Sequence, residues 1–104
     1  MPPQEYAHLF EPIRVGNLTL KNRITNAPTY NFLASYDNHI TREGIEFSKP
    51  VGRGGAATVT LGSGFINRVL PPAAHHIVGL HDDWVVTYLS EWGEAVKRHG
   101  AKAC

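Results

Sequence analysis

A single cysteine, Cys104, stands at the last of the 104 positions. One thiol makes no internal disulfide, so a reducing, cytoplasmic setting is the default expectation. No apolar run approaches the roughly 18 residues of a membrane span. The opening Met1-Pro2-Pro3-Gln4-Glu5 has no basic region followed by an apolar core, so no signal peptide is read. Clustered charge of one sign is missing too. The formal net charge is +1 and the Lys and Arg residues are scattered, unlike the basic stripe that nucleic-acid binding requires. The six histidines add positive charge only below about pH 6.5. What survives these exclusions is a soluble globular chain, 42% hydrophobic and modestly charged, of a size that suits one domain. Neither a membrane nor a nucleic-acid partner is expected.

Two chemical motifs are also incomplete. His75-His76 suggests metal ligation, but adjacent residues rarely chelate one ion together, and no Cys or carboxylate pattern supports them. No metal site is assigned. Gly62-Ser63-Gly64 resembles the start of a dinucleotide fingerprint, yet Asn67 occupies the place of the third glycine. A small-residue strand end is the simpler reading.

Local patterns predict the elements. Tyr6, Leu9 and Phe10 are spaced to pack one turn of a short lead-in against something larger. Ile13/Val15 and Leu18/Leu20 alternate on either side of Gly16-Asn17, a pair suited to the positive φ of a tight hairpin turn. The hairpin leads into Leu20–Tyr30, a short strand that ends where Pro28 fixes its own φ and extends Ala27. Such a rigid, small-residue end suits either an ordinary turn or the approach of a flat cofactor to the backbone. Thr41 is a good N-cap for a helix with Ile40, Ile45 and Phe47 on its apolar side. Pro50 should end or kink that helix near Lys49, leaving Gly52–Gly55 as a loose connection. Ala56–Leu61 reads as a strand covered on both faces, ending in Gly62-Ser63-Gly64. A long connection with Pro71-Pro72 and His75-His76 then reaches His81, the kind of loop that often serves as a lid. From Asp82 or Asp83 to His99, Val85, Leu89, Trp92 and Val96 form a helical stripe, with Tyr88 and Ala95 alongside and Gly100 as the C′ residue. Ala101–Cys104 begins a third strand.

The order strand, helix, strand, loop, helix, strand describes βα units with parallel strands and right-handed crossovers. About two and a half units are present, whereas a closed eight-fold barrel needs about 250 residues. The fold class is therefore α/β, the N-terminal part of a TIM (β/α)8 barrel preceded by a hairpin. Residues 1–22 form the lead-in and hairpin, residues 23–104 the first βα units, and the chain stops before or within the third strand. Two or three parallel strands alone leave exposed edges, so self-association or a complementary chain is the expected way to cover them.

Leu9-Phe10-Glu11-Pro12-Ile13, Leu20-Lys21-Asn22-Arg23-Ile24, Ala27-Pro28, Gly54-Gly55-Ala56-Ala57 and Lys97-Arg98-His99-Gly100-Ala101-Lys102 together resemble the N-terminus of the Old Yellow Enzyme family. These are FMN-dependent NAD(P)H:flavin oxidoreductases built on a TIM barrel. The pattern is most similar to the long bacterial members related to 2,4-dienoyl-CoA and enoate reductases. The resemblance implies FMN contacts from Ala27, Pro28 and Thr29 at the first strand end, and from Gly62 or Ser63 at the second. Tyr30 falls where the family usually has a small polar residue that tunes the flavin, and Phe32 falls on the substrate side. It also implies NAD(P)H as reductant, a small-molecule substrate, and, only in a longer parent chain, a 4Fe–4S cluster and an FAD. The flavin-bonding Gln or Glu of the third strand, the substrate-binding pair and the proton-donating Tyr of the family lie beyond Cys104, so no catalytic residue is assigned here.

Two functions compete. One is an FMN-binding segment of an oxidoreductase that reduces activated C=C bonds, inactive as this chain alone. The other is a non-catalytic assembly or binding module that pairs with itself or with a complementary chain.

Overall fold

The computed structural model describes residues 4–67 and 75–104; Pro71-Pro72 lies outside them. A 3-10 lead-in, Gln4–Phe10, is tied to the next segment by the Arg23 N–H donating to the Leu9 carbonyl at 2.9 Å. Strands β1 (Ile13–Val15) and β2 (Leu18–Leu20) form the antiparallel hairpin, Ile13 opposite Leu20 and Val15 opposite Leu18. Its turn takes a φ of +59° at Gly16, a conformation that costs glycine nothing.

The organising unit is a three-stranded parallel sheet in the order β3-β4-β7. Strand β3 is Thr25–Asn26, β4 is Thr58–Val59 and β7 is Lys102–Ala103. Thr25, Thr58 and Lys102 form one row across it, and Asn26, Val59 and Ala103 the next. Regular pairing is shorter than the sequence suggests, yet single bonds prolong it: the Ala57 N–H donates to the Ile24 carbonyl at 2.9 Å, and the Leu61 N–H to the Cys104 carbonyl at 2.8 Å. Between these strands run α1 (Arg42–Arg53) and α2 (Val86–Lys97), as a parallel crossover requires.

Helix α1 begins where expected: the Gly44 N–H donates to the Thr41 hydroxyl oxygen at 3.1 Å. It does not stop at Lys49. Pro50 lies inside the helix, and Gly52 and Arg53, expected in a loose connection, are its last residues. Tertiary packing offsets the proline. Gly52 is buried so tightly that a Cβ would stand 3.3 Å from that of His99 and 3.6 Å from that of Ala101. The buried side of α1 is Gly44, Ile45, Ser48 and Gly52; Phe47, expected on it, is exposed.

Helix α2 packs the expected stripe: Val85, Trp92, Ala95 and Val96 are buried, with Tyr88 and Leu89 against them. Its start differs from expectation. Asp83–Val85 is a 3-10 turn whose cap, Asp82, makes no side-chain capping bond. Val59 and Val96, at 1% and 0% exposure, centre the core; each fully buried valine contributes about 1.5–3 kcal/mol. Trp92 joins the two helices by donating its indole N–H to the Ser48 hydroxyl at 2.9 Å. The connection after β4 also holds more structure than a loop: β5 (Gly64–Phe65) and β6 (Val78–Gly79) pair in parallel.

Candidate functional site at the strand ends

The chain leaves β3 and β4 side by side at their C-terminal ends, and the residues after each strand meet there. Ala27 and Thr29 from the first end, and Gly62 and Ser63 from the second, border one cavity of about 180 Å³ together with Phe32. The cavity runs down between the sheet and α1 as far as Ser48, Val59 and Trp92. Pro28 and Tyr30 do not border it. Tyr30 is exposed and lies against Phe32, the ring centroids 5.8 Å apart and the planes 19° from parallel.

Gly62 is required by this arrangement. A Cβ there would run into the Thr29 carbonyl oxygen, so two adjacent strand ends approach closely only because one of them has no side chain. The first turn is braced by side chains. Asn31 accepts the Leu33 N–H at 3.1 Å through its carboxamide oxygen, an Asx-type turn. The Thr41 hydroxyl donates to the Leu33 carbonyl while it caps α1. Phe32 between them is held at φ +54°, a conformation that costs a bulky residue about 1–3 kcal/mol.

The back wall is a clasp between residues 34–38 and 75–79. The Ala34 N–H donates to the His76 carbonyl at 3.2 Å, and His76 Nδ1 lies 2.9 Å from the Ala34 carbonyl. A carbonyl only accepts, so that nitrogen carries the proton. Asn38 Nδ2 donates to the Ile77 carbonyl at 2.8 Å, and the His75 ring stacks on Tyr36 at 4.0 Å and 6°. The histidine pair, read as part of a long connection, thus joins two loops. Among the described residues no group of three His, Cys, Asp or Glu side chains could hold a metal ion.

Beside the clasp, the Ser35 hydroxyl donates to Asp37 Oδ1 at 2.5 Å, and His39 Nδ1 lies 3.1 Å from the same oxygen. Foremost through the Ser35 hydrogen bond, the Asp37 carboxyl is held below its ordinary range, His39 adding to the effect. His39 in turn stacks on Tyr88 of α2 at 4.3 Å.

Among the described residues no Asp, Glu, Lys or Arg borders the strand-end cavity; the polar groups there are amides, hydroxyls and the His76 imidazole. Such a wall fits a neutral, flat ring approached by backbone groups, and provides no cation for a phosphate. Its volume is below the roughly 300 Å³ at which complete ligand pockets begin. The sequence pointed to Ala27, Thr29, Phe32, Gly62 and Ser63, and the fold brings them together. It gave no hint of Leu33, Ser48, His76 or Trp92 in the same lining, because these converge from the turn, both helices and the clasp. The Asn31 brace carried a signal, since Asx turns favour Asn two residues before the bonded N–H.

Parallel βα units with a candidate site at the C-terminal strand ends define a β/α-barrel protein, in which that face carries the chemistry. The sequence model of the NADH:flavin oxidoreductase / NADH oxidase family matches residues 8–104, and the chain belongs to that family. It is 33% identical over 94 residues to a metal reductase of Desulforamulus reducens, covering 90% of this chain and 14% of that protein. A 2-naphthoyl-CoA reductase solved with 2-naphthoyl-CoA superposes with a TM-score of 0.86 at 24% identity, over 94% of this chain and 15% of that one. An Old Yellow Enzyme homologue from Zymomonas mobilis gives a TM-score of 0.75 at 28% identity, over 91% and 26%. The chain therefore spans about one-seventh of the length of the curated relative. Its fold is the first part of the TIM barrel of these enzymes. Among the described residues no helix is long and apolar enough to cross a membrane.

Proposed function

We propose that residues 1–104 form one wall of the FMN site of an NAD(P)H-dependent flavin oxidoreductase acting on activated C=C bonds. The observation that carries this reading is the meeting of Ala27 and Thr29 with Gly62 and Ser63 at adjacent parallel strand ends, in a lining that among the described residues holds no Asp, Glu, Lys or Arg. When bound, FMN would supply hydride transfer between NAD(P)H and the substrate. The chain's own part is positional. Backbone groups at Ala27, Thr29 and Gly62-Ser63 would lie along the ring, and Phe32 would face the substrate side. The deep end, closed by Trp92 and Val59, excludes water from one edge. Among the described residues the lining holds no cation for the phosphate, so that task would fall to residues outside this lining. Where longer relatives carry a 4Fe–4S cluster or an FAD, these would likewise be held outside residues 1–104. A cytoplasmic location belongs to the same proposal.

FMN titration followed by flavin fluorescence tests the reading. The expected result is saturable quenching by the wild-type chain, weakened at least tenfold by Gly62→Val. Quenching that survives that substitution unchanged refutes it. The isolated chain should not turn over; NADH oxidation above the free-FMN background would show that it does.

A further inference from the structure

Among the described residues, His76 is the one histidine bordering the strand-end cavity, in a lining with no Asp, Glu, Lys or Arg. Its ring is not free to turn. Nδ1 carries its proton toward the Ala34 carbonyl at 2.9 Å, and the His76 carbonyl accepts the Ala34 N–H at 3.2 Å. The backbone between these two bonds stands at φ +66°, a left-handed conformation that His and Asn tolerate better than most side chains. With the proton fixed on Nδ1, the neutral ring leaves Nε2 as a lone-pair acceptor. Among the described residues nothing bonds to that nitrogen. Tyr36 meets the ring edge-on at 6.1 Å, His75 stacks on Tyr36, and Asp37 is engaged by Ser35 and His39. The same lining also offers a donor. Asn31 spends its carboxamide oxygen on the Leu33 N–H, which leaves its amino group beside Gly62, 3.8 Å from where a Cβ there would stand. An uncharged cavity thus holds one fixed acceptor and an amide donor.

We propose that His76 is a specificity-determining residue of this site, its Nε2 accepting an N–H from a planar, uncharged ligand that carries a ring lactam or imide. The inference rests on the flavin-site reading only for the place where the ligand lies. The flavin ring itself has such an imide, and a heteroaromatic substrate with a lactam has the same chemistry. One hydrogen bond of this kind corresponds to about three- to tenfold in affinity. The bond holds while Nε2 is unprotonated and is lost as pH falls through the imidazole range, about pH 6.5, because the protonated nitrogen donates instead.

The test compares two uncharged probes of matched shape, quinolin-2-one, which has the ring N–H, and coumarin, which has an oxygen in its place. Each is titrated into the full 104-residue chain, ¹⁵N-labelled at histidine, above and below the imidazole range. The proposal expects quinolin-2-one to bind about three- to tenfold tighter at the higher pH and to shift the His76 Nε2 signal. At the lower pH that lead should disappear. His76→Asn keeps a side-chain N–H for the Ala34 carbonyl and suits the left-handed backbone, but has no counterpart of Nε2; it should bring the affinity ratio close to one. Equal or undetectable binding of both probes to the wild type at the higher pH overturns the proposal, as does an unmoved Nε2 signal. Both readings stand even where the variant fails to fold. A preference that survives His76→Asn overturns it too. Added FMN separates the two sources: displacement of quinolin-2-one supports the flavin ring as the ligand, and simultaneous binding supports a lactam-bearing substrate. Failure of FMN to bind at all counts against the flavin-site reading alone, since the probe ratio without FMN still decides for or against His76.

Discussion

The helix-and-sheet layer and the strand-end region are built on opposite principles. In the layer, Val59, Trp92, Val96 and Ala101 are buried, and α1 absorbs a proline without stopping. Around the strand ends, Phe32 and Phe47 are exposed and line a cavity, and Tyr30 is exposed against Phe32. The three non-glycine residues with positive φ among those described, Phe32, Asn38 and His76, all lie in the loops around it. The first region gains stability by removing apolar surface from water; the second keeps surface available and holds strained backbone in place with side-chain bonds. The packed core and the candidate site are thus largely separate regions, and Trp92 touches both, buried in the core and lining the cavity.

That separation is open to direct attack. Trp92→Ala should have the largest effect, about 3–5 kcal/mol of lost stability in urea denaturation; a loss below about 1 kcal/mol would mean the layer is not what holds the fold. Trp92→Phe keeps most of the volume and gives up the bond to Ser48, for about 1 kcal/mol. Gly62→Ala sets a methyl group against the Thr29 carbonyl, at a cost of about 1–3 kcal/mol. It should weaken FMN binding too, whereas Ser63→Ala should stay within about 0.5 kcal/mol of wild type. Thr41→Ala removes the α1 cap for about 1 kcal/mol and frees the Leu33 carbonyl, so hydrogen exchange should quicken in residues 31–34 as well as in the first helical turn. Quickening in only one of these places would show that the two regions are not joined there.

The smallest effect concerns pH. The Asp37 carboxyl lies below its ordinary value of 3.8 when folded, so its bonds to Ser35 and His39 contribute fully above that value. Their contribution is lost as pH falls through the lower folded value. NMR signals of residues 35–39 should therefore change below about pH 3.8 in wild type and lose that dependence in Asp37→Asn. Because Asp37 lies exposed, away from the core, core signals should not follow.

Helix α2 was legible because Val85, Leu89, Trp92 and Val96 recur with the helical period, and periodicity is a local property. The Thr41 cap and the Gly16 turn were legible for the same reason: each depends on residues within a few positions. The parallel order of β3, β4 and β7 followed from strands alternating with helices. Local rules failed at Pro50, where the close fit of Gly52 against His99 and Ala101 keeps the helix going. They failed again at Phe47, which faces the cavity mouth rather than the core. The β5–β6 pair is two residues per strand, too short for any periodic signal.

By itself, then, the amino-acid sequence determined the identity and order of the main elements and the small-residue strand ends, because caps, turns and helical stripes are written in neighbouring residues. Tertiary structure alone decided which of those residues share a cavity, that Gly62 must be bare for the two ends to meet, and that His75 and His76 clasp a loop 39–42 positions earlier. Those outcomes depend on contacts between segments far apart in the chain, and no local pattern encodes such a distance.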